Sequence, residues 1–215
     1  ASLALVGPLA ACQKATAPAS ARDLTLVQGD GQQRRAGGLL PIPLVFRAVD
    51  GDGRGVKDLP ITLTVEAGGG AVDSASVKTN ASGEARVRWT VGQATAQTLM
   101  AQAPGTPPLR AQATALVPAE VEIAQGNNQT ARSGAVLPNT IVVRVRSVGG
   151  VALDSVPVSF LITAGGGTIT PQSTITSASG EASVRWTLGP QAGANAVLVR
   201  AGQAEPAVVS ATAAP

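Results

Sequence analysis

Histidine and tyrosine are absent from this chain of 215 residues, and it holds one cysteine, one methionine and two tryptophans. Each scarcity excludes something. Without histidine there is no ordinary general base near neutral pH, no imidazole metal ligand and no Ser-His-Asp nucleophile. A lone cysteine, Cys12, cannot form an internal disulfide, so the chain must hold its shape by packing. Aromatic residues amount to 2% against 44% hydrophobic, which leaves Val, Leu, Ile and Ala to fill the interior. Charge is sparse as well, at 13% of residues with a net +3. Residues 23–117 carry nine basic and eight acidic side chains, and residues 118–215 carry five of each. That balance makes no electrostatic case for nucleic acid. No Gly-rich phosphate loop, paired-carboxylate pattern or metal-ligand cluster stands out. The sequence therefore names no catalytic residue, no cofactor, no metal and no small-molecule substrate, and the expectation is that the protein is not an enzyme.

What the chain has is repetition. Gln28-Gly29 returns as Gln125-Gly126, Leu40-Pro41 as Leu137-Pro138 and Pro60 as Pro157. Gly68-Gly69-Gly70 returns as Gly165-Gly166-Gly167, Ser82-Gly83-Glu84-Ala85 as Ser179-Gly180-Glu181-Ala182, and Trp89-Thr90 as Trp186-Thr187. The offset is 97 throughout, without a gap from Gln28 to Gly92, and 27 of those 65 aligned positions are identical. A period this long is a whole domain with its own core, copied in tandem.

Within each copy, side chains alternate. Ala85, Val87, Trp89 and Val91 share one face, and Arg86, Arg88 and Thr90 the other. Ala182, Val184, Trp186 and Leu188 repeat the pattern against Ser183, Arg185 and Thr187. Period two marks a half-buried strand, and each tryptophan, in phase with the inward aliphatics, reads as the centre of its core. Strands are also expected at 44–48 and 141–145, with Phe46 and Val143 inward, and at 24–28, 61–66, 76–79, 98–103 and 110–115. Many short strands between Gly, Pro, Asn and Asp turns make an antiparallel β-sandwich. The glycine triplets should end a strand where positive φ or close approach is needed. Ser-Gly at 82–83 and 179–180 should turn tightly before the tryptophan strand.

The order Leu-Pro, a Val-rich strand, Gly-Gly-Gly, Thr-x-Ala-Ser-Gly-Glu-Ala and Trp-Thr-(Val/Leu)-Gly resembles the invasin/intimin-type bacterial Ig-like domain. The match covers about 190 residues. In the second copy it continues into Ala192-Gly193-Ala194-Asn195, whereas Gln93-Ala94-Thr95-Ala96-Gln97 of the first lacks the Gly and Asn. The resemblance implies an all-β chain of two tandem Ig-like sandwiches, at 23–117 and 118–215, as found on exported bacterial proteins. It implies no catalytic residues and identifies no partner. The joint of about three residues, Val117-Pro118-Ala119, favours a stiff rod.

Ala1 to Ala11 is an uncharged apolar stretch that runs into Cys12, as a secretory core region does. Leu9-Ala10-Ala11-Cys12 resembles the bacterial lipobox, which implies lipidation at Cys12. An ordinary signal peptide, or a plain membrane anchor with an incidental cysteine, would share these features. Eleven residues fall short of the roughly 20 needed to cross a bilayer. Every version places the modules outside the cytoplasm against a membrane, with residues 13–22 as a flexible tether.

Two charged features remain. Asp50-Gly51-Asp52-Gly53 has alternate oxygen ligands like the start of a calcium loop, but later acidic ligands are missing and a plain turn is expected. Arg47, Arg86 and Arg88, with Arg144, Arg146 and Arg185 as counterparts, could line one sheet face in each module. Arginine suits protein interfaces and carboxylate recognition; the plain alternative is a solvated face. The functional expectation is a membrane-tethered structural subunit that braces or links parts of a larger membrane protein complex, and the alternative is a surface adhesin or ligand-binding lipoprotein.

Overall fold

The computed structural model of the chain describes residues 20–215, so the apolar leader, Cys12 and most of the tether lie outside the described residues. At the tether's end, Ala21 is buried in the first core and the Arg22 N–H donates to the Val49 carbonyl (2.8 Å). The chain is thus fixed two residues ahead of the expected start at 23, because a small apolar side chain fits beneath the first strand.

Only strands and turns occur among the described residues. Module 1 contains β1 (Asp23–Gln28), β2 (Gln32–Arg35), β3 (Leu44–Val49), β4 (Pro60–Ala67), β5 (Ala71–Val72), β6 (Ser76–Lys78), β7 (Glu84–Val87), β8 (Trp89–Thr90), β9 (Ala96–Gln102) and β10 (Leu109–Leu116). Module 2 contains β11 (Pro118–Gln125), β12 (Gln129–Arg132), β13 (Ile141–Ser147), β14 (Pro157–Ala164), β15 (Gly167–Thr170), β16 (Ser173–Ile175), β17 (Glu181–Leu188), β18 (Gly193–Ala201) and β19 (Ala207–Ala214). The expected strands are all present, although the tryptophan strand of module 1 is split at Arg88 into β7 and β8.

In module 2 one sheet has the order β11-β13-β17-β15 and the other β12-β19-β18-β14-β16. Module 1 repeats this with β1-β3-β7, extended by β8 paired to β5, facing β2-β10-β9-β4-β6. Ladders are antiparallel except β2 with β10 and β12 with β19. This is the immunoglobulin arrangement, in which strands A, B, E and D (β1, β3, β7 with β8, and β5; or β11, β13, β17 and β15) face C, F and G (β4, β9 and β10; or β14, β18 and β19). After strand C the chain crosses to the A-B-E sheet as β5 or β15, then returns as the short edge strand β6 or β16. The molecule is two tandem Ig-like antiparallel β-sandwiches.

Each sandwich closes on its own cluster of buried aliphatic side chains. The inward faces fall where alternation put them, with Trp89, Trp186, Phe46 and Val143 all fully buried. Removing a ring of that size from water involves about 200 Å², so at about 25 cal/mol/Å² each tryptophan contributes on the order of 5 kcal/mol. The glycine triplets behave as expected. Gly68 and Gly165 have φ of +94° and +80°, and a Cβ there would lie 2.2 Å from the Gln97 amide and 1.9 Å from the Asn195 amide. Each triplet is a lid on a buried amide. The Ser-Gly turns close through Gly83 N–H to the Asn80 carbonyl (3.0 Å) and Gly180 N–H to the Ser177 carbonyl (2.9 Å).

The joint is shorter than expected, because Pro118 already belongs to β11 and Val117 alone separates the last strand of one module from the first of the next. Arg35 Nη1 donates across it to the carbonyls of Asp154 (2.9 Å) and Ser155 (3.0 Å). Leu116 packs against the core of module 2.

Candidate interaction faces

The arginines singled out from the sequence do lie on the solvent face of the A-B-E sheet in both modules, but their surroundings differ. In module 2 the ladder sets Glu122 opposite Arg144 and Arg144 opposite Glu181. Arg144 donates to Glu181 and lies 3.8 Å from Glu122, while Arg146 Nε reaches Glu122 at 3.1 Å and its Nη1 the Gly150 carbonyl at 3.0 Å. Opposite charges directly across a ladder attract. The hydrogen bond from Arg144 holds the Glu181 carboxyl below the ordinary carboxylate range, and the same bond raises the Arg144 guanidinium. Arg144 and Arg146 therefore belong to a paired network and do not form a free basic stripe. Arg185 is exposed in the middle of β17, opposite Thr170 and outside that network.

In module 1 the position of Glu122 is taken by Thr25 and that of Arg146 by Val49. Arg47 stands between Thr25 and Glu84, and Arg86 stands opposite Val45. Arg47, Arg86 and Arg88 are exposed, and none of the salt bridges among the described residues involves them. Adjacent strands place Arg47 and Arg86 on a diagonal, with Cβ atoms about 7–8 Å apart, and Arg88 lies two residues further along. These guanidiniums can each present a planar two-donor fork to a carboxylate.

The ion pair that links strands in module 1 lies elsewhere, on the C-F-G sheet. Arg110 Nε donates to Glu66 Oε2 (2.6 Å) and Nη2 to Oε1 (3.1 Å), a two-point contact. That bond lowers the Glu66 pKa and raises that of Arg110. The Asp50 loop is a turn closed on itself: Asp50 Oδ1 accepts the N–H groups of Asp52 and Arg54 (both 2.9 Å), and Asp52 pairs with Arg54 (3.0 Å). Its carboxylates are engaged by the loop's own donors.

Sequence reasoning missed Gln97. Its Oε1 accepts from the Gly92 N–H (2.9 Å) and its Nε2 donates to the carbonyls of Gly68 (3.2 Å) and Ala94. Gln97 fills the place that Asn195 holds in module 2, displaced by a one-residue length difference in the preceding loop. A shift of the repeat offset from 97 to 98 after Gly92 was the available signal.

No protein-family model matches the chain, and no curated protein matches it. Solved structures do. The D0-D1 domains of intimin are 20% identical over 89% of this chain and 95% of that one, with a TM-score of 0.38. The adhesin InvE of Yersinia pseudotuberculosis is 17% identical over 89% of this chain and 59% of its own, with a TM-score of 0.45. Invasin, a bacterial integrin-binding protein, is 20% identical over 89% of this chain and 40% of its own, with a TM-score of 0.43. The Ig-like fold itself is established by the strand order of the chain's own ladders, and these proteins are chains to which it is similar.

Proposed function

We propose that the protein is a non-enzymatic, extracytoplasmic binding subunit, held at a bacterial membrane through its leader or a lipidated Cys12. In this reading residues 23–117 and 118–215 act as two domains, and module 1 docks an acidic protein surface within a larger membrane assembly that the chain braces. One observation carries this. The A-B-E face of module 2 is neutralised from within by Glu122 and Glu181, whereas the same face of module 1 keeps Arg47, Arg86 and Arg88 outside any ion pair. Exposed arginine forks of this kind favour interfaces, and complementary charge governs encounter and orientation.

The test is to solubilise native membranes in mild detergent, separate them by size and locate the chain by mass spectrometry. Co-migration with a larger complex at fixed stoichiometry is expected. The combined change Arg47→Glu, Arg86→Glu and Arg88→Glu should release the chain, while Arg185→Glu in module 2 should leave it bound. Migration of the unaltered chain as a free species of 21.3 kDa overturns the proposal. Binding of that free species to added matrix proteins would then favour a surface adhesin.

A further inference from the structure

The solvent faces of the two C-F-G sheets also differ. In module 2, Leu161 of β14 stands opposite Leu198 of β18, which stands opposite Val208 of β19. Leu161 is 59% exposed and Val208 51%, with Leu198 half-buried between them. Ile175 on the edge strand β16, paired with Pro157, adds a side chain 63% exposed. In module 1 the same row reads Thr64, Met100 and Arg110. A sheet face open to water ordinarily carries polar side chains, and an aliphatic row three strands wide marks an interaction surface.

We propose that this face of module 2 docks a protein surface in which aliphatic side chains are bordered by carboxylates. The border follows from charge. Arg200 faces out beside Ser159 and Arg132 beside Ala214, and no carboxylate occupies an outward position of β12, β14, β16, β18 or β19. A second copy of this chain docking through the same face would bring arginines with no acid to meet them. A lipid surface is a poor match, since the face lacks the Trp and Tyr that anchor at membrane interfaces. Size agrees with a protein partner. The central strands β14, β18 and β19 run eight, nine and eight residues and the edge strands β12 and β16 four and three, so at about 4.8 Å spacing and about 3.3 Å per residue the face measures roughly 500 Å², the scale of one side of a small, transient interface. This face is separate from the arginine face of module 1, so the chain would bridge two partners or two sites of one.

The experiment uses the full chain in native membranes, with a photo-crosslinking amino acid in place of Leu198 and, separately, of Met100. Leu198 should yield an adduct with a different polypeptide, about tenfold above the yield from Met100. The crosslinked peptide should carry Leu, Ile or Val together with Asp or Glu. Leu161→Lys should cut the yield about tenfold, as loss of a central apolar anchor does, and Arg200→Glu should cut it severalfold by reversing the border charge. Because Arg200 is an exposed side chain, the second variant gives a reading that does not depend on how the first one folds. Adducts between two copies of the chain, adducts to lipid, equal yields from Leu198 and Met100, or no adduct at all would each overturn the proposal.

Discussion

Modules 1 and 2 agree in their interiors and differ on their surfaces. Trp89 and Trp186 occupy the same buried position, Phe46 and Val143 the same place opposite Ala85 and Ala182, and the glycine triplets cover Gln97 and Asn195 alike. Outside, the strand-to-strand ion pair of module 1 lies on the C-F-G face between Arg110 and Glu66, and its A-B-E arginines stand apart. In module 2 the ion pairs lie on the A-B-E face and the C-F-G face is aliphatic. Packing constrains the inward half of every strand, since even one methylene is felt in a close-packed core, whereas most outward substitutions change stability by less than about 0.5 kcal/mol. Two copies can therefore keep one scaffold while their faces diverge towards different partners.

The strongest way to break that comparison is to open one core. Trp89→Ala and Trp186→Ala should each cost about 3–5 kcal/mol. Because the two clusters of buried side chains are separate, each change should lower one of two transitions in calorimetry and leave the other nearly in place. A single transition shifted equally by both variants would show that the modules fold as one unit through Arg35, Leu116 and the short joint.

A finer contrast lies beneath the glycine triplets. Gln97 uses both ends of its amide, so Gln97→Ala leaves the Gly92 N–H and the Gly68 carbonyl without partners. Buried groups left in that state cost about 1–3 kcal/mol. Asn195 makes one bond, from Nδ2 to the Gly193 carbonyl (3.0 Å), and its Oδ1 is buried without a partner. Asn195→Ala loses that bond and removes the unpaired oxygen, for an expected cost of about 1 kcal/mol or less. Equal losses in chemical denaturation of the two variants would show that the amides are equivalent.

Where sequence reasoning succeeded, it relied on spacing. Alternation located Trp89 and Trp186, and the repeat offset put the glycine triplets and Ser-Gly turns in register. It could not show partners across a sheet. The ion pairs of Arg144 depend on the ladder that sets residue 122 opposite 144 and 144 opposite 181, which no local pattern contains. The strands β2 and β12 were passed over because Gln32–Arg35 and Gln129–Arg132 are polar edge segments without an apolar face. The aliphatic row of module 2 did leave a trace: Phe160-Leu161-Ile162 breaks the alternation of its strand, so one large apolar side chain had to face outward.

The smallest effect concerns acid. Hydrogen bonds from Arg110 and Arg144 hold Glu66 and Glu181 below the ordinary value of 4.5. A carboxyl whose pKa falls on folding binds its proton more weakly in the folded state. Its stabilisation is therefore complete above the unfolded value and fades as pH drops through the folded one. Each module should lose a little stability as pH falls below about 4.5, and the loss should shrink in high salt because both pairs are exposed. The two modules should respond separately. Glu66→Gln should remove this acid dependence from module 1 and leave that of module 2, and Glu181→Gln should do the reverse. Thermal unfolding of the unaltered chain and the two variants across the acid range checks this, and a variant whose acid dependence matched that of the unaltered chain would mean that its ion pair contributes nothing to it.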